Sequence, residues 1–473
     1  MRKSLSVIGL AVLASLSQGA AASDLVDVWR AAVQNDKEYA VGRAIQATAQ
    51  PRRDQAAALW RPNVALTASV GATSNDTETR GARFSAPGFG ESSGVGFSTS
   101  VSTGSSSRWA VSATQPLYNP ARRAQQRQLN LSADTAELEW QAAGQSLMLR
   151  TAERYFDVAL AEETLHVLRL QLDAVQAATT EAQDRFKLGS SPVTDTHEAR
   201  ARLAGVRAQV LSAESALQIK RALLADSTGL PAVALAARLP APASPDANTG
   251  PSARPLESWL ADARNDNPAI RGRVLAVEAA RQEAAKFMRG ASASVDLIAQ
   301  AGHDRLSGSG DFGSAGNTGS NRSIGIQLSL PLFAGGYRDA KAEEALRLTD
   351  KATSELEQTR QQVSQQVHAA WLGLSVGAQR VQSLDEALGA SAARGAATQL
   401  GREVGQRTTL DVLNAANDFA TARLTLTQAR VGLVMDRLRL AALAGQLDES
   451  TLRSVNGELS AAEGPTQRPP TRE

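Results

Sequence analysis

Cysteine is absent from the 473 residues. That absence excludes a disulfide framework, a zinc–cysteine cluster, an iron–sulfur site, a cysteine nucleophile and an acylated lipoprotein anchor. Aromatic residues make up only 4% of the chain, too few for the three packed cores that its length alone would suggest at about 150 residues per domain. The four histidines, His166, His197, His303 and His368, lack metal-ligand spacing, and no nucleophile–base arrangement is recognisable. No metal, cofactor or enzyme activity is therefore expected. Past the N-terminus no apolar run approaches the ~20 residues of a spanning helix. A chain of this kind that crosses a membrane must cross it with strands.

The N-terminus reads as a leader. Arg2-Lys3, an apolar stretch from Leu5 to Leu16 and the small residues Ala20-Ala21-Ala22 have the layout of a secretory signal peptide over residues 1–22. The whole chain carries 50 basic and 48 acidic side chains, so removal of Arg2 and Lys3 leaves the two signs equal. Without an excess basic field, a nucleic-acid partner has no compositional support.

The chain is one unit written twice. Trp29 with Asn35-Asp36 is answered by Trp259 with Asn265-Asp266, 230 residues later. Gln115-Pro116-Leu117-Tyr118 is answered by Leu330-Pro331-Leu332-Phe333, and Gly189 with Asp195 by Gly405 with Asp411, at offsets of 215 and 216. The expected layout is a first structural repeat over 23–230, a Pro-rich linker over 231–255 with six prolines, a second repeat over 256–450 and a C-terminal periplasmic tail over 451–473.

Each repeat carries a heptad-like seam, Ala161-Leu165-Leu168-Leu172-Val175 in the first and Val363-Val367-Ala370-Leu374 in the second. Seams sustained in steps of four and three indicate helices packed as coiled coils. Long helices are predicted over 121–189 and, after short turns, over 193–228 and 408–444. Strand signals occur in matched places. Val64, Leu66, Ala68 and Val70 alternate with polar or small residues, as do Trp109, Val111 and Ala113, and Ile324, Ile326, Leu328 and Leu330. Residues 294–302 form a fourth, weaker candidate. Each is near the ~10 residues that cross a bilayer when tilted, and the Gly/Ser/Thr/Asn-rich stretches Thr73–Arg108 and Asp304–Arg322 read as solvated surface loops. Four strands cannot close a barrel. Since backbone groups in lipid must all be paired, other copies of the chain have to complete the sheet, and three copies supply twelve strands.

These repeats, the junctions at Pro116 and Pro331, and the turn Val404-Gly405-Gln406-Arg407-Thr408-Thr409-Leu410-Asp411-Val412-Leu413 resemble the TolC family of outer-membrane export channels, from Leu25 to about Leu452. The resemblance implies a mixed α/β, internally duplicated membrane protein. Four transmembrane strands per chain would complete a twelve-stranded trimeric barrel, continued by a long α-helical coiled-coil periplasmic tunnel. It also implies a place in the outer membrane of a Gram-negative bacterium, among outer-membrane lipid, with an inner-membrane ABC transporter and a periplasmic adaptor as partners. For the periplasmic gate it implies Arg407 as the basic member of a polar link with Thr194 and Asp195, and Asp411 at the pore constriction. Arg402 and Asn414 depart from the pattern, standing where the best-known member has a locking tyrosine and a second acidic ring. On the residues alone, Asp195 and Asp411 are also well placed to favour helix N-termini.

Two other assignments are weaker. A trimeric coiled-coil adhesin keeps its membrane strands at the C-terminus, whereas these are interior and duplicated. Gly308-Ser-Gly-Asp-Phe-Gly313 fits a dinucleotide-loop pattern but lacks the strand–turn–helix context that would give it meaning. Within the export class, the absent lipidation cysteine favours protein secretion of the one-step (type I) kind over small-molecule efflux.

Overall fold

In a computed structural model, residues 24–88, 90–232, 235–241, 254–288, 293–311 and 313–459 are described. The signal segment 1–22, most of the Pro-rich linker and the tail from residue 460 lie outside them. The described elements run α1 (Leu25–Asn35), α2 (Lys37–Gln46), α3 (Ala49–Ala58), β1 (Asn63–Ala86), β2 (Gly90–Tyr118), α4 (Pro120–Lys187), α5 (Val193–Thr228), α6 (Leu256–Asp266), α7 (Pro268–Ala285), β3 (Ser294–Gly310), β4 (Gly313–Ser329), α8 (Tyr337–Glu403), α9 (Thr409–Leu443) and α10 (Glu449–Gly457). No described helix is long and apolar enough to cross a membrane. The order repeats, with three short helices, a hairpin and two long helices answered by two short helices, a hairpin and two long helices.

Two compact units divide the chain. The first takes residues up to Ala47, Thr135–Val274 and Ser354 onward, and the second Thr48–Asp134 and Leu275–Thr353. In the first unit much of the predicted seams is buried, with Ala161, Leu168 and Leu172 partly so and Phe186, at the end of the first, exposed. Leu165, Val175, Thr179 and Ala182 of α4 and Val363, Val367, Ala370 and Leu374 of α8 are all shielded. Tyr155 and Phe156 of α4, edge-on at 5.5 Å, centre a core completed by α1, α5, α9 and α10. The chain just after α5 straps onto this core, where Leu235 is buried and Arg238 N–H donates to the Tyr155 hydroxyl at 2.8 Å. Residues 451–457, placed by the sequence at the start of the C-terminal tail, belong to the helix α10. Leu452 and Val455 are fully buried because they sit three apart on the apolar face of α10.

The second unit holds one antiparallel sheet in the order β1-β2-β3-β4. Its strands are 24, 29, 17 and 17 residues long, well beyond the ~10 expected for a crossing. The segments read as loops, Thr73–Arg108 and Asp304–Arg322, instead continue the ladders to the turns Ala86↔Gly90 and Gly310↔Gly313. Small and hydroxylated residues give no apolar–polar alternation in the sequence, but their backbones still pair. Register shifts between Thr73 and Asn75 and between Thr79 and Phe84 relieve the long β1–β2 ribbon.

Candidate functional site

Register sorts the sheet into two chemically different faces. Val64↔Ala113, Ala113↔Ala299 and Ala299↔Ile324 make one row across all four strands. Side chains two residues apart share a face, so Val64, Leu66 and Val70 of β1, Trp109 and Val111 of β2, Val295 and Leu297 of β3, and Ile324, Ile326 and Leu328 of β4 lie on one side. Most of them are widely exposed, Val70 at 84% and Ile324 at 76%. The opposite side carries Thr67, Ser69, Ser112, Gln300, Ser323 and Gln327. On β4 the apolar run of this face is Ile324, Ile326 and Leu328, continued by Leu330 just past the strand's end. Among the described residues β1 and β4 each keep one unpaired edge, so one chain offers a third of a twelve-stranded wall that neighbouring strands must close.

The junctions below the sheet are built differently in the two repeats. Pro116 pairs with Asp296 next to a register shift, and Asn119 then caps α4, its Oδ1 accepting from Arg122 N–H at 2.9 Å. After Pro331 the chain turns through Gly335 and Gly336, at φ 59° and 80°, conformations that only glycine adopts without strain.

The far ends of the long helices carry the predicted gate, all within the first unit. The α4–α5 and α8–α9 turns have the same geometry. Ser190 N–H donates to Arg185 O, and Gln406 N–H to Gly401 O, while Gly189 and Gly405 take φ 72° and 78°. Each long helix therefore ends in a glycine-terminated C-cap. Asp195 and Asp411 occupy the third position of the helix that follows. At α9 a capping box forms, with Asp411 N–H donating to Thr408 Oγ1 at 3.1 Å and Thr408 N–H to Asp411 Oδ2 at 2.9 Å. The Thr408 backbone N–H, then its hydroxyl, and then the charge of Arg407 hold the Asp411 carboxyl below the usual carboxylate range. Asp411 is thus a cap, as its position after the turn suggested, and Asn414 lies exposed one turn further along α9.

Arg407, Thr194 and Asp195 are exposed, and among the described residues no hydrogen bond or ion pair joins Arg407 to either partner within the chain. The expected link is therefore not formed inside one copy. Arg402 is engaged, its Nη1 lying 3.0 Å from Glu181 Oε2 of α4. Glu181 was not singled out in the sequence, because its only local signal is the ordinary i, i+4 pairing with Arg185 at 2.9 Å. Further along, α4 and α9 are joined by Gln171 and Asn417 at 3.1 Å and by Glu163 and Arg423 at 2.6 Å. A polar residue at a seam position such as Asn417 fixes helix register at some cost in stability.

Comparison with known proteins fits both halves of this description. The family described as "Outer membrane efflux protein" matches residues 28–230 and 259–446. The chain is 25% identical to outer membrane protein TolC of Vibrio cholerae over 98% of its own length and 100% of the relative's. It is also 25% identical to the alkaline protease secretion protein AprF of Pseudomonas aeruginosa, over 99% of this chain and 94% of that one. In fold it is similar to the outer membrane protein VceC of Vibrio cholerae, at a TM-score of 0.71 and 19% identity, covering 90% of this chain and 97% of VceC. The chain belongs to the outer membrane efflux protein family and is a TolC-type channel of the Gram-negative outer membrane.

Proposed function

We propose that this channel is the outer-membrane duct of a one-step protein-secretion machine. It works as a homotrimer and takes protein cargo from an inner-membrane ABC transporter and a periplasmic adaptor to the exterior. The observation that carries this reading is its near full-length similarity to a protein named for protease secretion. The absence of any cysteine for a lipid anchor points the same way. The duct is passive and performs no chemistry on its cargo. Its gate lies at the turns closing α4 and α8, where Arg407 meets Thr194 or Asp195 of a neighbouring copy, Arg402 holds Glu181 within the copy, and Asp411 with Asn414 lines the constriction. Small-molecule efflux is the competing reading, and the family's own description favours it.

The test is complementation of a Gram-negative strain lacking its own channel but supplied with a protease, its ABC exporter and its adaptor. Restored protease secretion without restored resistance to efflux substrates supports the secretion reading. The reverse pattern replaces it with efflux.

A further inference from the structure

Two arginines stand on the apolar face of the sheet. Arg322 of β4 is opposite Ala301, and Arg305 of β3 is opposite Thr318 and Ser107. Both therefore share the side of Ile324, Val111 and Leu66. Between them runs the row Trp109↔His303↔Ser320, in which the Trp109 and His303 rings lie 6.3 Å apart and His303 Nδ1 is 3.0 Å from Ser320 Oγ. Amphipathic rings in such a row mark the boundary between hydrocarbon and head groups. The turn of the β3–β4 hairpin lies beyond this row, away from the helices, so it is the extracellular boundary.

Both arginines are exposed, and among the described residues neither makes a hydrogen bond or ion pair. The strand positions opposite them carry no carboxylate. Arg80, farther out on β1, behaves differently, because Glu78 neutralises it through two hydrogen bonds of 2.7 and 2.8 Å. A guanidinium on a lipid-facing side needs an anion, and Arg recognises phosphate oxygens through paired N–H groups. Arg322 lies one side-chain repeat inside the boundary row and Arg305 one outside it, about 13 Å apart along the strands. Arg322 can snorkel to the row, as long cationic side chains do, so that both reach one head group.

We propose that Arg305 and Arg322 form a binding site on the outer face of the barrel for the phosphorylated sugar head group of the outer-leaflet glycolipid, lipid A. The site rests on the reading of the chain as a trimeric barrel and would occur three times around it. Its effect is to fasten the wall to the leaflet just where β4 meets the next copy.

The test uses the full chain purified as a trimer and followed by native mass spectrometry. Diphosphoryl lipid A, fully dephosphorylated lipid A and inorganic phosphate serve as probes. The parent trimer should retain diphosphoryl lipid A and reject the other two. Arg305→Gln combined with Arg322→Gln should lose that retention, and the corresponding double lysine variant, which keeps the charge but not the paired N–H groups, should retain diphosphoryl lipid A more weakly than the parent and more than the glutamine variant. If the glutamine variant fails to assemble, Thr318→Glu sets a carboxylate opposite Arg305 and should abolish retention on an otherwise unchanged sheet. Equal retention by the neutralised variants, or of dephosphorylated lipid A, overturns the site while leaving the trimer intact. Binding of inorganic phosphate in its place reassigns the arginines to a free anion and overturns the lipid assignment. Absence of any trimer in the parent protein overturns both this site and the channel assembly on which it rests.

Discussion

Arg402 Nη1 and Glu181 Oε2, 3.0 Å apart, tie the last turn of α8 to α4. The exposures of the two side chains, 20% and 31%, place the pair between a surface bridge and a buried one. Surface bridges contribute about 0–1 kcal/mol each, so three related by symmetry hold the helices with a few kcal/mol at most. An adaptor's binding energy can exceed that. Glu181→Gln should therefore raise single-channel conductance in planar bilayers above the parent's, and Glu181→Arg with Arg402→Glu should bring it back. Asp195→Arg, which sets like charges together if Arg407 reaches it from a neighbouring copy, should raise it further. Conductance unchanged by Glu181→Gln would make the pair a packing contact with no part in closure.

Asp411 supplies a prediction in pH. Thr408 and Arg407 lower the folded-state value of its carboxyl, so the anion is favoured by folding. The stabilisation it gives is complete above the ordinary carboxylate range and is lost as pH falls through the depressed value. If Asp411 lines the constriction, cation preference should be flat from pH 7 down to about pH 4, the ordinary aspartate value, and fade only below it. Thr408→Val removes the hydroxyl and should move that loss to higher pH. Asp411→Ala should abolish both the preference and block by multivalent cations. Reversal potentials across a salt gradient measure all three.

The parts of this fold that the sequence revealed are those where burial imposes a period. The second helix read after the first turn, over 193–228, is α5, Val193–Thr228. Ile324, Ile326 and Leu328 announced β4 because lipid contact demands alternation on one face. Where both faces meet water, nothing in the side chains marks a strand, so the outer halves of the hairpins read as loops. The gate divides in the same way. Gly405 and Asp411 carry turn and cap chemistry that is local in sequence. The contact of Glu181 with Arg402 joins helices 221 positions apart and depends on their crossing, which no local pattern encodes.

The two-faced sheet predicts opposite outcomes for adjacent positions. Ile326, 71% exposed, sits within the apolar band, where an arginine on a lipid-facing strand costs about 2–4 kcal/mol. Its neighbour Gln327 points to the polar side. Ile326→Arg should sharply reduce heat-resistant trimers on gels, and Gln327→Arg should leave them near parental yield. Equal loss in both would mean that the apolar face is not the one in contact with lipid.

The last described helix, α10, is part of the core. Leu452 is fully buried in the core that α10 shares with α1, where Asn456 Oδ1 accepts from Leu25 N–H at 3.2 Å and Arg30 reaches Glu449 at 2.9 Å. Truncating a buried leucine to alanine costs about 2–5 kcal/mol, and α10 has only nine residues with which to compensate. Leu452→Ala should therefore lower the unfolding temperature of the helical signal by several degrees and loosen α1 together with α10. Residues 464–473 contain no large apolar side chain able to offset the entropy of ordering them, so their deletion should leave both the unfolding temperature and export unchanged. Circular dichroism melts of the two variants beside the parent decide the matter. A melt unchanged by Leu452→Ala would remove α10 from the core, and a drop on deleting 464–473 would show that the tail takes part in holding the fold.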